Sequence, residues 1–108
     1  FHTDGDQGGA MIFKYMQTAI TRKDLDGRIW NASETIDRVD VLRTATRWNA
    51  LNLLRGQEIG SLEKNKWADL VVIDRDYLTI PIEEIPDIQV LMTMLGGKVV
   101  YQSPRSGL

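Results

Sequence analysis

The sequence contains no cysteine and a single histidine, His2, among its 108 residues. The lack of cysteine excludes a disulfide scaffold, a thiol nucleophile and a thiolate metal site. One imidazole per copy also excludes a metal site that needs two or three histidines of the same chain. No apolar stretch reaches the roughly 18 residues of a membrane-spanning helix, and no signal-peptide pattern opens the chain. We therefore expect a cytoplasmic setting and no membrane partner.

An excess of charge of either sign is also lacking. The formal net charge is -2, and the 13 basic residues are spread along the chain without forming a run. This balance argues against nucleic acid as a partner. Hydrophobic residues make up 43% and charged residues 26% of the chain, which is close to the average for globular proteins. The composition therefore predicts a folded domain with a modest core.

The most informative stretch runs from residue 60 to residue 74 and reads GSLEKNKWADLVVID. Its pattern predicts a turn that leads into a short apolar strand, Leu70 to Ile73, flanked by Asp69 and Asp74. Such a strand is expected to pack within a sheet, with its two ends in solvent. The stretch resembles the C-terminal signature of metal-dependent amidohydrolases, where a Pro-Gly pair is usual in place of Lys64-Asn65. Because Asn tolerates positive φ better than other non-glycine residues, we expect the turn to be retained.

Similarity to the same enzymes, of the amidohydrolase family three type, extends over most of the chain. Four further segments resemble family motifs: residues 1–5 (FHTDG), 19–31 (AITRK followed by GRIWN), 41–50 (VLR followed by TRWNA) and 90–101 (V..T..GGKVVY). The resemblance implies a C-terminal fragment of an enzyme with an eight-stranded (β/α) barrel. A complete barrel needs about 200 residues or more, so this chain is expected to be the tail of such an enzyme.

The fold class that follows is α+β, with a helical first half and a small antiparallel sheet in the second half. The resemblance implies that residues 1–56 are the remnant of the barrel and that residues 57–102 belong to the accessory β-sandwich. Residues 103–108 contain Pro and Gly without periodicity and are expected to form a flexible tail.

Periodicity gives the expected elements in more detail. Apolar residues at helical spacing predict a helix over residues 10–22 and a second one that begins after an N-cap at Ser33 or Asp37. We expect a break or kink at Thr46 and a short helix over 48–54 that stops at Gly56. Residues 82–85 are expected to form a helical turn or an extended loop. Alternation over 88–95 and the Gly-Gly pair at 96–97 predict a hairpin with the strand 98–101.

Asp4 is the one candidate catalytic and metal-binding residue. By resemblance it matches the strand-eight aspartate, which would act as a general base toward metal-bound water in the intact enzyme. The histidines that would complete the site are missing, so we expect no cofactor in the fragment, and zinc or another divalent metal in the parent. In the isolated chain, a solvated carboxylate is the expected state of Asp4. His2 is expected to be neither ligand nor catalyst.

The resemblance implies a hydrolase of carbon–nitrogen bonds other than peptide bonds, with the isolated fragment inactive. The alternative is a free-standing, non-catalytic binding or assembly module that keeps the accessory fold. The expected partners are the missing N-terminal part of the enzyme and a second copy bound through exposed edges. We expect Met11, Phe13 and Met16 to be exposed and to contribute to this association.

Other possible sites have simpler explanations. Residues 74–76 (DRD) lack the glycine and glutamate of a calcium loop, so we interpret them as turn-forming carboxylates. The glycines at 5, 8 and 9 only weakly suggest an anion site. Trp30, Trp48 and Trp67 are predicted to pack in the core or at hinges and not to form a ligand platform.

Overall fold

The computed structural model describes residues 12–24 and 26–108. Within them the helices are α1 (Ile12–Thr21), α2 (Arg38–Ala45) and α3 (Arg47–Asn52), with 3-10 turns at Ala32–Glu34 and Ile82–Asp87. The strands are β1 (Leu70–Ile73), β2 (Val90–Leu95) and β3 (Lys98–Gln102). Helices therefore precede a small antiparallel sheet, which confirms the predicted α+β class.

The buried core lies between the helices and the segment that connects β1 to β2. Its most buried residues are Met16 of α1, Val41 of α2, and Tyr77, Ile85 and Ile88 of that segment. Val41 and Ile85 have no exposed surface, and α1 packs against both α2 and the Ile82–Asp87 turn. The core thus draws on residues from both of the predicted domain ranges, and the boundary at residue 56 stays a prediction.

Helix α2 begins at the second of the two predicted caps. The Asp37 carboxylate accepts a hydrogen bond from the Val39 backbone N–H at 3.0 Å, which satisfies one of the free amides of the first turn. Ser33 lies instead in the preceding 3-10 turn. Thr46 has φ -126° and ψ -93°, values outside the helical region, so the predicted break between α2 and α3 is confirmed.

The sheet is a single antiparallel layer with the order β1-β2-β3. Its hairpin turn is formed by Gly96 and Gly97, both with positive φ, which matches the twist of the flanking strands. The register shifts between Val72 and Ile73 in β1, and the β2–β3 pairing shifts next to Thr93. The predicted hairpin is confirmed, and the second layer of a β-sandwich stays a prediction.

Two expectations about the helices are wrong. Helix α3 ends at Asn52, and Leu54 takes the left-handed conformation that stops it, so Gly56 is not the stop. Met16 is only 2% exposed, because the apolar side of α1 is covered by the chain's own core. Its predicted exposure is therefore incorrect.

The three tryptophans do not belong to the core. Trp30 is 56%, Trp48 44% and Trp67 58% exposed, so the prediction of core packing is wrong for all three, while the alternative of hinge positions stays a prediction. The Trp67 ring lies near Gly96 of the hairpin. Among the described residues, none of the helices has the length and hydrophobicity that a membrane span requires.

Candidate functional site

The predicted catalytic residue Asp4 lies outside the described residues, as do His2, Met11 and the glycine loop 5–9. In the part of the chain that the structure describes, no three His, Cys, Asp or Glu side chains are grouped so that they could hold a metal ion. The described residues therefore do not by themselves fit a metal centre, and Asp4 remains a prediction.

The best-defined polar arrangement is the signature turn, which is centred on Lys66. The Lys66 ammonium donates to the Gly56 carbonyl oxygen at 2.6 Å and to the Ser61 hydroxyl at 2.7 Å. The Ser61 hydroxyl in turn donates to the Glu63 carboxylate at 2.7 Å, and the Lys66 side chain is only 12% exposed. The lysine of the signature therefore ties together both ends of the turn.

Electrostatics agree with this arrangement. The hydrogen bond from the Ser61 hydroxyl and the nearby charge of Lys66 hold the pKa of Glu63 below its usual value. Asn65 has φ 70°, so the expected left-handed turn residue is confirmed. Lys66 and Asn65 line a cleft of about 440 Å³ whose other ionisable residue, among those described, is Glu58. Because Lys66 is already bonded to Gly56 and Ser61, the arrangement suits a structural role.

Two further signature residues connect the turn to the sheet and to α3. Asp69 accepts a hydrogen bond from the Gly96 backbone N–H at 2.7 Å, which fixes the hairpin turn beside the start of β1. Gly60 has φ 95°, and a Cβ placed on it would lie 2.5 Å from the Ala50 Cβ. The glycine thus permits direct packing of the turn on α3.

The loop after α1 contains a second compact network, around the Asp24 carboxylate. One carboxylate oxygen accepts from the backbone N–H groups of Asp26 and Arg28, and the other accepts from the Trp30 indole at 2.8 Å. The indole and Arg28 hydrogen bonds hold the pKa of Asp24 below its usual value. The Arg28 guanidinium also lies 5.7 Å from the centre of the Trp30 ring. These contacts fold the GRIWN segment, residues 27–31, back onto Asp24 as a closed loop.

A cleft of about 410 Å³ lies between α1 and residues 82–83. Its walls carry charges of both signs, from Lys14, Lys23, Asp24 and Glu83. Asp24 is already committed to Trp30 and Arg28. Among the residues that the structure describes, the cleft therefore has no convergent set of free acids or bases that would favour a particular chemistry.

Asp76 acts as a turn-forming carboxylate, as the sequence predicts, whereas Asp74 bonds to a distant residue instead. Asp74 accepts from the Gln89 backbone N–H and Asp76 from the Leu78 backbone N–H, each at 2.9 Å. The Asp76 bond is typical of a side chain that closes a local turn, whereas the Asp74 bond joins the end of β1 to the residue before β2. The partners of Lys66 and Asp69 were not predicted, although the position of both residues inside the signature indicated that their side chains have specific roles.

Comparison with known proteins supplies what the described geometry does not. The amidohydrolase family model matches residues 1–101. N-substituted formamide deformylase from Arthrobacter pascens is 34% identical over 87 residues, which is 81% of this chain but only 16% of that protein. No solved structure gives a significant match. With a family match over nearly its whole length, and with the signature residues Gly60, Lys66 and Asp69 holding the turn together, the chain belongs to the amidohydrolase family.

Proposed function

We propose that this chain forms the C-terminal part of a metal-dependent hydrolase that acts on carbon–nitrogen bonds other than peptide bonds. The observation that carries the proposal is the family match over residues 1–101. The similarity to an N-substituted formamide deformylase supports an N-substituted formamide as the kind of substrate. Because this chain spans 16% of that relative, the activity is assigned to a longer polypeptide and not to the 108 residues alone.

The chain's own contribution to chemistry is Asp4. By its place in the family pattern, it would accept a proton from the attacking water and pass it to the leaving nitrogen. The divalent metal implied by the family would supply Lewis-acid activation of that water. The described residues do not group three metal-ligating side chains, so their role in the proposal is to hold the fold around the site.

The described geometry is consistent with such a supporting role. Lys66 closes the signature turn, and Gly60 lets that turn pack directly on α3. These contacts stabilise the region that connects the helices to the sheet. The proposed partner is the rest of the hydrolase, with a second copy of the isolated chain as a further partner in its absence.

The first test is the intact mass and zinc content of the protein from its natural source, beside the same measurements on the 108-residue chain. A native mass several times larger than 12.3 kDa, with metal only in the longer form, is the expected result. A native mass near 12.3 kDa without metal would overturn the proposal. That outcome would favour the alternative, a non-catalytic binding or assembly module.

A second test isolates Asp4 within the natural protein. Asp4→Asn should lower kcat for hydrolysis of N-substituted formamides by about 10²-fold or more, because it removes the proposed proton acceptor. Asp87→Asn is the matched control, since Asp87 is exposed at the end of a 3-10 turn. Equal activity of the two variants would contradict the role given to Asp4.

A further inference from the structure

Helix α3 differs from the other two helices in which of its side chains are buried. The apolar sides of α1 and α2 are covered by the core through Met16 and Val41, which are 2% and 0% exposed. In α3 the buried residue is the small Ala50, at 3%, whereas Trp48 is 44% and Leu51 is 54% exposed. The largest apolar side chains of α3 therefore point away from the core of this chain.

The residue that ends α3 has an unfavourable backbone conformation. The Arg55 N–H donates to the Ala50 carbonyl and the Leu54 N–H donates to the Leu51 carbonyl, each at 2.9 Å. This is the bonding pattern of a helix end in which the residue at positive φ is usually glycine. Here it is Leu54, with φ 59°. A branched side chain in this conformation is unfavourable relative to glycine.

Leu54 is also 94% exposed. It therefore combines a strained backbone with an apolar side chain in water, and it gains little packing within the described residues. Such an outlier is a reason to look for a function outside the local structure. Leu53, which is 59% exposed, lies beside it. We define Trp48, Leu51, Leu53 and Leu54 as the α3 surface.

Single exposed apolar residues are common in soluble proteins, but a cluster on one helix end is typical of an interface. The opposite side of α3 is already occupied, because Gly60 of the signature turn packs on Ala50. Helix α3 is thus in contact with the signature turn and with α2, and among the described residues the α3 surface is left exposed.

We propose that the α3 surface docks onto the remainder of the same hydrolase polypeptide, the part that lies outside these 108 residues. The inference rests on the proposed function, and it deepens it by naming the surface through which this chain joins the catalytic part. The length of chain supports this occupant, since the aligned region accounts for 16% of the formamide deformylase. Most of such a protein is therefore available to cover the surface.

Thiol labelling of the natural protein tests this proposal directly. These 108 residues contain no cysteine, so Leu54→Cys introduces a thiol whose labelled peptide can be identified by mass spectrometry. Lys64→Cys is the control, because Lys64 is exposed in the signature turn. Each labelling rate is divided by the rate of the same variant in denaturant, which removes differences in intrinsic thiol reactivity.

The expected result is labelling of Leu54→Cys at least about tenfold slower than that of Lys64→Cys, at every protein concentration. Equal normalised rates would overturn the docking. Protection that disappears on dilution would also overturn it, in favour of a second copy as the occupant. Free labelling of Leu54→Cys in a protein that contains zinc and hydrolyses formamides would reject the docking and leave the proposed function standing. A native mass near 12.3 kDa would reject both.

Discussion

Gly60 holds the signature turn against α3 at a position where a side chain does not fit. Its φ is 95°, and an added Cβ would lie 2.5 Å from the Ala50 Cβ and 3.2 Å from the Arg47 Cα. The Ala50 side chain is itself buried, so it cannot move aside without disturbing its own packing. Two separate physical reasons, conformation and space, therefore require glycine here.

The two reasons can be separated by comparing Gly60→Ala with Gly27→Ala. Gly27 has φ 80°, but no atom of the described residues lies within 4 Å of an added Cβ, so its substitution should cost only the conformational penalty of about 1–2 kcal/mol. Gly60→Ala should cost about 2 kcal/mol more, because it adds steric overlap to the same penalty. Urea denaturation of the two variants measures the difference. Equal losses would show that α3 shifts to admit the methyl group.

The structural role of Lys66 can be tested by comparing a substitution there with the same substitution at a nearby exposed lysine. Lys66→Met keeps the aliphatic stem but leaves the Gly56 carbonyl and the Ser61 hydroxyl without their donor. We expect a loss of about 1–3 kcal/mol in the free energy of unfolding, since two partly buried groups lose a charged partner. Lys64→Met, at an exposed position two residues earlier, should change stability by less than about 0.5 kcal/mol. Similar losses in both variants would contradict the structural role of Lys66.

Local chemistry made some of these residues predictable from sequence. The positive φ of Asn65 followed from the resemblance to the amidohydrolase signature, which has glycine at this position, and from the tolerance of Asn for that conformation. The carbonyl that Lys66 binds did not, because Gly56 lies ten residues away and only the folded path of the turn brings the two together. The role of Gly60 likewise depends on where α3 passes.

At the scale of elements, hydrophobic periodicity and caps located α1, α2 and the hairpin, because each has a regular pattern and a local stop signal. The end of α3 was missed, since Leu54 adopts a conformation that its side chain disfavours. The exposure of the three tryptophans was not predicted, because aromatic residues are usually buried. Whether a particular one is buried depends on which surfaces the rest of the fold covers, and the local sequence does not indicate this.

A long-range contact fixes α2 to the segment after β1. The Tyr77 hydroxyl donates to the Arg38 carbonyl at 2.8 Å, and the Arg38 guanidinium donates to the carbonyls of Tyr77 and Ile80 at 3.0 and 2.8 Å. Burial of Tyr77 raises the pKa of its hydroxyl, which keeps it protonated as a donor. The two residues lie 39 positions apart, so no local pattern in the sequence indicates the pair.

Tyr77→Phe should therefore lower the free energy of unfolding by about 1 kcal/mol, the usual net value of one hydrogen bond. The ring and its packing against the core are retained, so the change isolates the hydroxyl. Tyr101→Phe is the control, because Tyr101 is 49% exposed on β3 and should have almost no effect. Thermal denaturation of both variants measures the difference. An unchanged free energy of unfolding in Tyr77→Phe would mean that water hydrogen-bonds to the Arg38 carbonyl as well as the Tyr77 hydroxyl does.

For the molecule as a whole, the exposed surface indicates that self-association involves the sheet and not α1. Charged substitutions in α1 are unsuitable, because Met16 lies in the core and its replacement would unfold the helix packing. The three-stranded sheet instead has two outer strands, and every residue of β3 is exposed. An exposed strand edge is a template for pairing with another chain.

We therefore expect the isolated 108-residue chain to self-associate through β3 at high micromolar concentration. Val100→Lys should shift it toward the monomer, because a charge on the outer strand opposes edge-to-edge pairing. Leu78→Lys makes the same change at a loop position of similar exposure, 52% against 56% for Val100, and should leave association unchanged. Sedimentation velocity measures the shift, and circular dichroism checks that the fold is retained. A wild-type chain that sediments as a monomer, or an equal effect of both substitutions, would contradict pairing through β3.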